Sequence, residues 1–439
     1  MKITFMGAGS TIFARNVLGD SMASQYLGKI EAALYDIDDR RLKQSKAILD
    51  AINTGLGKKA VIKTFLGPEN RKAALKDAKF VINAIQVGGY DPATITDFEI
   101  PKKYGLNQTI GDTIGIGGIM RGLRTIPVME DFAGDIEKVC PDAWLLNYTN
   151  PMSIISGFMQ RYTNVKTVGL CHSVQGCSRH LLNSLGMEDK VEGRSDKIAG
   201  INHMGWLLEI RDRDGNDLYP EIRKRAALKN RNEKHRDMVR YDYIAKLGYY
   251  CTESSEHNAE YNPYYIKGRY PELIEKFNIP LDEYPRRCIT QVEKWDAEFE
   301  SLSKKSVLPY KQSSEYASRI MEAMLTGNPY IIGGNVINRA CIGNLPPEAC
   351  VEIPCLVDKN GINPCFSGRL PLQLAAMNMS NINVHLLTIE AARTRKREHI
   401  YHAAMMDPHT SSELSLDDIV KMVDELITRH GKLLPKYKR

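Results

Sequence analysis

The chain has 439 residues, with 59 basic and 53 acidic side chains and a formal charge of +6 at pH 7. Hydrophobic residues at 43% and charged residues at 26% are globular values that exclude wholesale disorder, and so weak a charge, with no long Lys/Arg block, excludes a nucleic-acid footprint. No apolar run approaches the ~20 residues of a membrane helix and no signal-peptide layout precedes the first strand, so we expect a cytoplasmic enzyme without a membrane partner.

In chain order, Lys2–Met6 is an apolar strand running into Gly7-Ala8-Gly9, and Ile12–Leu18 suits the following helix. Ile30–Tyr35 is a second strand ending at Asp36, Asp38–Ile48 is helical, and Val61–Phe65 is a short third strand. After a helical Arg71–Asp77 comes Phe80–Ile85, a continuous apolar run fit for a strand covered on both faces. Trp144–Asn147 and Val165–Leu170 complete a strand–helix alternation that predicts a doubly wound, Rossmann-like parallel sheet. Asn147–Asn150 and Cys171–Ser173 then fall at its carboxyl edge, where open sheets bind ligands. Beyond about residue 195 the alternation weakens. Gly200–Ile210 reads as one strand, Glu221–Gly248 as charged helix, Cys251–Pro285 as loop, Val351–Val357 as strand and Leu370–Met406 as long core helices stopped by Asp407-Pro408. The expected fold is therefore α/β, with a nucleotide-binding domain over 1–195 and a mixed, helix-rich substrate domain over 196–439.

Gly7-Ala8-Gly9 sits between a strand and a helix, the context of a dinucleotide fingerprint, although Ile12 stands where the third glycine would fall. Backbone N–H groups at Gly7, Gly9, Ser10 and Thr11 can approach a pyrophosphate. Asp36, at the end of the second strand, is placed for ribose hydroxyls and disfavours a 2′-phosphate, so NAD is expected over NADP. Asn83 falls near the nicotinamide ribose. Nine cysteines include no Cys-x-x-Cys pair, which leaves a zinc ribbon or a thioredoxin-like site without support; with no signal-peptide layout, reduced thiols are expected, most of them core. Cys171-His172-Ser173 and Asn202-His203 bring a thiol, imidazoles and amide oxygens that suit a transition metal with open positions; spacing alone also fits structural residues.

Five stretches, Met6–Ile12, Gly117–Pro127, Asn147–Met152, Gly169–Gln175 and Ala199–Met204, resemble family-4 glycoside hydrolases in order and along essentially the whole chain. Cys171–Ser173, Thr252–Glu260 and Asp282–Arg287 resemble the α-galactosidases of melibiase type within it. The resemblance implies hydrolysis of a small-molecule α-galactoside with NAD⁺ and a divalent metal, usually Mn²⁺: oxidation at sugar C3, loss of the C2 proton, elimination of the aglycone, water addition and re-reduction. It places Cys171 and His203 on the metal and Asn150 on the sugar; Arg121, just beyond the Gly117–Met120 run, and Asn202 are further substrate-binding candidates read from the sequence itself. It puts His172 where relatives carry an Asp as proton donor, and Asp112 where a carboxylate raises the basicity of the C2 base. That base falls on a segment where Glu253, Glu256, His257 and Tyr264 are the titratable candidates. A homodimer or homotetramer is implied. The alternatives are a family-4 α-glucosidase, α-galacturonidase or 6-phosphoglycosidase, a lactate/malate-type dehydrogenase, or a non-catalytic NAD-binding sensor.

Overall fold

The computed structural model describes residues 1–438, without the side chains of Thr11 and Asp296. Six parallel strands, β1 (Lys2–Met6), β2 (Ile30–Asp36), β3 (Ala60–Leu66), β4 (Phe80–Asn83), β5 (Trp144–Asn147) and β6 (Lys166–Leu170), lie in the order β3-β2-β1-β4-β5-β6. The inner ones are short and almost wholly buried because helices cover both faces, which is why they read as unbroken apolar runs.

The second half extends this sheet. It contributes β7 (Ser195–Ile201), β8 (Met204–Arg211), β9 (Tyr250–Cys251), β10 (Tyr330–Ile337), β11 (Cys350–Asp358) and β12 (Gly361–Pro364). Strand β10 lies antiparallel on β6, pairing Asn335 with Gly169, and the sheet continues β10-β11-β7-β8-β9, with β12 on β11. One apolar cluster joins Phe5, Leu34 and Val168 of the first half to Ile201, Trp206 and Val351 of the second. The helix Leu372–Thr394 packs on both the helix Gly115–Val139 and β7.

Two predicted elements differ. Gly200–Ile210 is a hairpin, β7 and β8, with Asn202-His203 as its turn. Both strands are buried there, so no alternation marks the reversal. The stretch predicted as loop, Cys251–Pro285, holds the helix Ser255–Glu260, capped by Ser254, whose hydroxyl meets the His257 N–H. The long core helices expected over Leu370–Met406 are present as Leu372–Thr394 and Arg397–Met406, separated where Arg395 adopts φ +57°. Among the described residues no helix is long and apolar enough to cross a membrane.

Candidate active site

The parallel strands end in register: Met6 pairs with Tyr35 and Asn83, Asn83 with Asn147, and Asn147 with Gly169. Their carboxyl ends therefore form one edge, and the residues following each strand face a common crevice. At Gly7, φ is +84° and an added Cβ would stand 2.6 Å from the Ala84 carbonyl oxygen, so only glycine fits this turn. The Gly9 N–H donates to Asp36 Oδ2 at 2.6 Å, while Asp36 Oδ1 accepts from the Ile37 and Asp38 N–H groups at 2.8 and 3.0 Å. One carboxylate thus pins the glycine turn to the end of β2. The helix Thr11–Ala23 opens just beyond with no side-chain cap, and the buried Ser10 Oγ has no hydrogen-bond partner. An uncapped helix start and an orphaned hydroxyl suit a pyrophosphate, while the N–H groups of Gly7, Ala8, Gly9 and Ser10 are spent within the turn, on the carbonyls of Tyr35 and Gly7 and on Asp36. The side chain of Thr11 lies outside the described residues. Asn83 is fully buried at the same edge; its Nδ2 donates to Asn147 Oδ1 (2.8 Å) and Thr149 Oγ1 (3.1 Å), and its Oδ1 is free.

Further along the same edge, three strands from β1, Cys171 follows β6, while His203 occupies the β7–β8 turn and Glu253 follows β9; the ligand atoms of the three all lie within 4.8 Å of one another. His203 and Glu253 hold left-handed backbones at φ +62° and +65°. That conformation is costly for a side chain with a Cβ, and strain of this kind collects at functional sites. Burial, with the carboxylates of Glu352 and Glu253, pushes the Cys171 thiol up, so a thiolate there calls for a cation. Burial opposes ionisation of Glu253 too, but the imidazoles of His203 and His257 hold its carboxyl below the ordinary value. The Tyr261 hydroxyl lies 2.9 Å from His203 Nδ1 and leaves Nε2, 3.6 Å from Glu253, for a ligand. A soft sulfur, an imidazole and a carboxylate, fixed by buried neighbours, fit a divalent transition metal with open positions.

The next layer joins the helix Ser255–Glu260 to the helix Gly115–Val139. His257 Nδ1 lies 2.9 Å from Ser254 Oγ and 3.5 Å from Glu253, and its Nε2 lies 3.9 Å from Asp112 Oδ1. Burial lowers the His257 pKa, keeping the ring neutral at pH 7. Asp112 Oδ2 accepts from Asn150 Nδ2 at 3.2 Å and lies 3.8 Å from Arg121, whose Nε donates to the Asn150 carbonyl at 3.2 Å. Asp112, Arg121 and Asn150 are thus one hydrogen-bonded group. On the opposite side, His172 Nε2 meets Glu315 Oε2 at 2.7 Å, and this bond raises its pKa.

Three expectations change. Tyr264 is 56% exposed; Asn262-Pro263 turns the chain outward after Tyr261, which is the tyrosine that enters the site. Glu256 pairs with Arg287 (3.4 Å), and Glu253 is the carboxylate that joins Cys171 and His203. Asn202 turns into the core, its Nδ2 donating to Glu352 at 3.4 Å; burial pushes that carboxyl up to about 7. Glu315 and Glu352 lie far from the motifs in sequence and carry no local signal; Tyr261 and Glu260 lie at the end of the flagged segment.

Residues 2–187 match the family model for family 4 glycosyl hydrolases, and residues 198–410 match that for the family 4 glycosyl hydrolase C-terminal domain. The chain is 57% identical to an α-galactosidase of Bacillus subtilis (strain 168), across 100% of both chains. It is 34% identical to an α-galactosidase of Rhizobium meliloti (strain 1021), across 99% of this chain and 89% of that one. A solved 6-phospho-α-glucosidase from gut microorganisms, in complex with NAD and Mn²⁺, has a TM-score of 0.82 over 100% of this chain and 99% of that one; at 20% identity the likeness is one of fold.

Proposed function

The chain belongs to family 4 of the glycosyl hydrolases, and from that premise we propose that it hydrolyses α-galactosides of the melibiose type with NAD⁺ and a divalent cation, taken as Mn²⁺. The observation that carries this is the Cys171–His203–Glu253 triangle, with Cys171 on the same sheet edge as the Gly7–Asp36 turn, in a chain 57% identical to an α-galactosidase. The proposed course is oxidation at sugar C3, loss of the C2 proton, elimination of the aglycone, water addition and re-reduction, with no net redox change.

When bound, NAD⁺ supplies a reversible hydride acceptor and the cation supplies Lewis acidity toward the sugar oxygens. Gly7, Gly9, Ser10, Thr11, Asp36 and Asn83 would hold the dinucleotide; Cys171, His203 and Glu253 would hold the cation. Asn150 and Arg121 orient the sugar hydroxyls through the bonded group they form with Asp112. His257 takes the C2 proton: Ser254 and Glu253 engage its Nδ1, its Nε2 is left as acceptor, and Glu253 and Asp112 stabilise the imidazolium that results. His172 donates to the leaving oxygen, held by Glu315 at 2.7 Å. Tyr261 fixes the His203 ring.

The division at residue 195, a cytoplasmic location and a homodimer or homotetramer complete this reading; all nine cysteines are free, in keeping with a reducing compartment. The test is hydrolysis of nitrophenyl α-galactoside with and without NAD⁺, Mn²⁺ and thiol, alongside nitrophenyl α-glucoside, α-galacturonide and 6-phosphoglycosides. Activity on the galactoside that needs all three additions is expected. Preference for another glycoside would overturn the substrate, and steady NADH accumulation would favour a dehydrogenase.

A further inference from the structure

Glu260 takes no part in the chemistry above, yet its carboxylate is buried and meets no cation among the described residues. It ends the helix Ser255–Glu260 that carries His257 and directly precedes Tyr261. Its oxygens accept three successive backbone N–H groups. Thr109 donates to Oε2 at 2.8 Å, Ile110 to both oxygens at 3.3 and 3.2 Å, and Gly111 to Oε1 at 2.8 Å. Consecutive N–H groups converging on one point form an anion nest, and here the protein's own carboxylate fills it. Gly111 makes the loop possible, with φ +56°. A second bond runs to the same helix, from Thr109 Oγ1 to the Glu256 carbonyl at 2.7 Å. Outside, the N–H groups of Asp282 and Tyr284 close on the carbonyls of Gln108 and Thr109 at 2.9 and 3.0 Å. The residue that leaves this nest is Asp112.

We propose that Glu260 is a positioning residue for proton transfer: by filling the 109–111 nest it sets Asp112 against His257, Asn150 and Arg121. The inference rests on the reading of His257 and Asp112 given above. Burial pushes the Glu260 carboxyl up to about 7, while the Gly111 and Thr109 N–H groups pull the other way. A glutamine cannot substitute, because its amide nitrogen would turn N–H against N–H where the carboxylate offers a second acceptor.

The experiment is a double-mutant cycle on the NAD⁺- and Mn²⁺-loaded enzyme with nitrophenyl α-galactoside, pairing Glu260→Gln with Asp112→Asn. Glu260→Gln is expected to lower kcat/KM on the order of 10²-fold, as misplacement of a catalytic group by about 1 Å does, with NAD⁺ affinity unchanged. In the Asp112→Asn background it should add less than about twofold, because Asp112 is the group it acts through. The primary isotope effect with C2-deuterated substrate should rise in Glu260→Gln, which a mere fall in folded enzyme would not produce. Losses that multiply, or an unchanged isotope effect, would overturn the proposal. If the glutamine variant does not fold, Glu260→Asp, which keeps the charge and both acceptors one methylene short, is read by the same two criteria. Failure of the underlying reading would show separately, as wild-type enzyme with no exchange at C2.

Discussion

Replacing His385 with leucine should protect the protein against acid. His385 lies on the helix Leu372–Thr394, 3% exposed, with neither ring nitrogen hydrogen-bonded, and burial alone pushes its pKa from 6.5 down to about 4. Between those values the unfolded chain binds a proton at this residue and the folded chain does not, so stability rises with pH across the window and is lost on acidification. The gap, at about 1.4 kcal/mol per pH unit, amounts to about 3 kcal/mol by pH 4. That is a large share of a typical stability of ~5–15 kcal/mol. Buried carboxyls with raised values, Glu260 and Glu352 at about 7, act with the opposite sign, adding stability at low pH that is lost as pH rises from about 4.5 to about 7. Comparing wild type with His385→Leu cancels those terms. The assay is urea unfolding of both proteins at pH 7.5 and at pH 4.5, with activity followed in parallel. The same helix carries Asn378 and Asn381, which donate to the carbonyls of Met204 (2.9 Å) and Tyr261 (3.1 Å), so acid loss of structure and of activity should coincide. An equal acid loss in wild type and variant would refute the argument that an unpaired imidazole sets this limb.

Cys171→Ser should remove turnover while leaving NAD⁺ binding, measured by calorimetry, within about twofold; a chelator should do the same reversibly, with Mn²⁺ restoring the rate. Asp36→Asn removes a charged acceptor from the Gly9, Ile37 and Asp38 N–H groups, and should weaken NAD⁺ by about tenfold, at roughly 1.5 kcal/mol for a charge-assisted hydrogen bond. Unchanged affinity would remove Asp36 from the cofactor site. His172→Asn should slow hydrolysis of a disaccharide by about 10²–10⁴-fold but nitrophenyl galactoside far less, since nitrophenolate leaves without a proton; equal losses on both would exclude His172 as the donor.

The nucleotide half was legible because its strands are short apolar runs buried on both faces, and because Gly7, Gly9 and Asp36 mark a turn with one geometric solution. Cys171 and His203 were legible as a pair through resemblance, while their spacing alone carried little. What sequence reading missed has a physical cause in each instance. The His203 turn was hidden inside two strands with no polar face to mark the reversal. Tyr264 was favoured over Tyr261 although Asn262-Pro263 carries the chain outward between them. Glu315 and Glu352 reach the site from a loop and a strand far along the chain, brought there by the antiparallel extension of the sheet through β10 and β11.

The central claim is hydrolysis through transient oxidation and loss of the C2 proton, and it is tested most directly in D₂O. Enzyme with Mn²⁺, thiol and NAD⁺ far below the substrate concentration should release many equivalents of galactose per NAD⁺. The product should carry deuterium at C2, and NADH should not accumulate. Galactose with only protium at C2 would contradict the account.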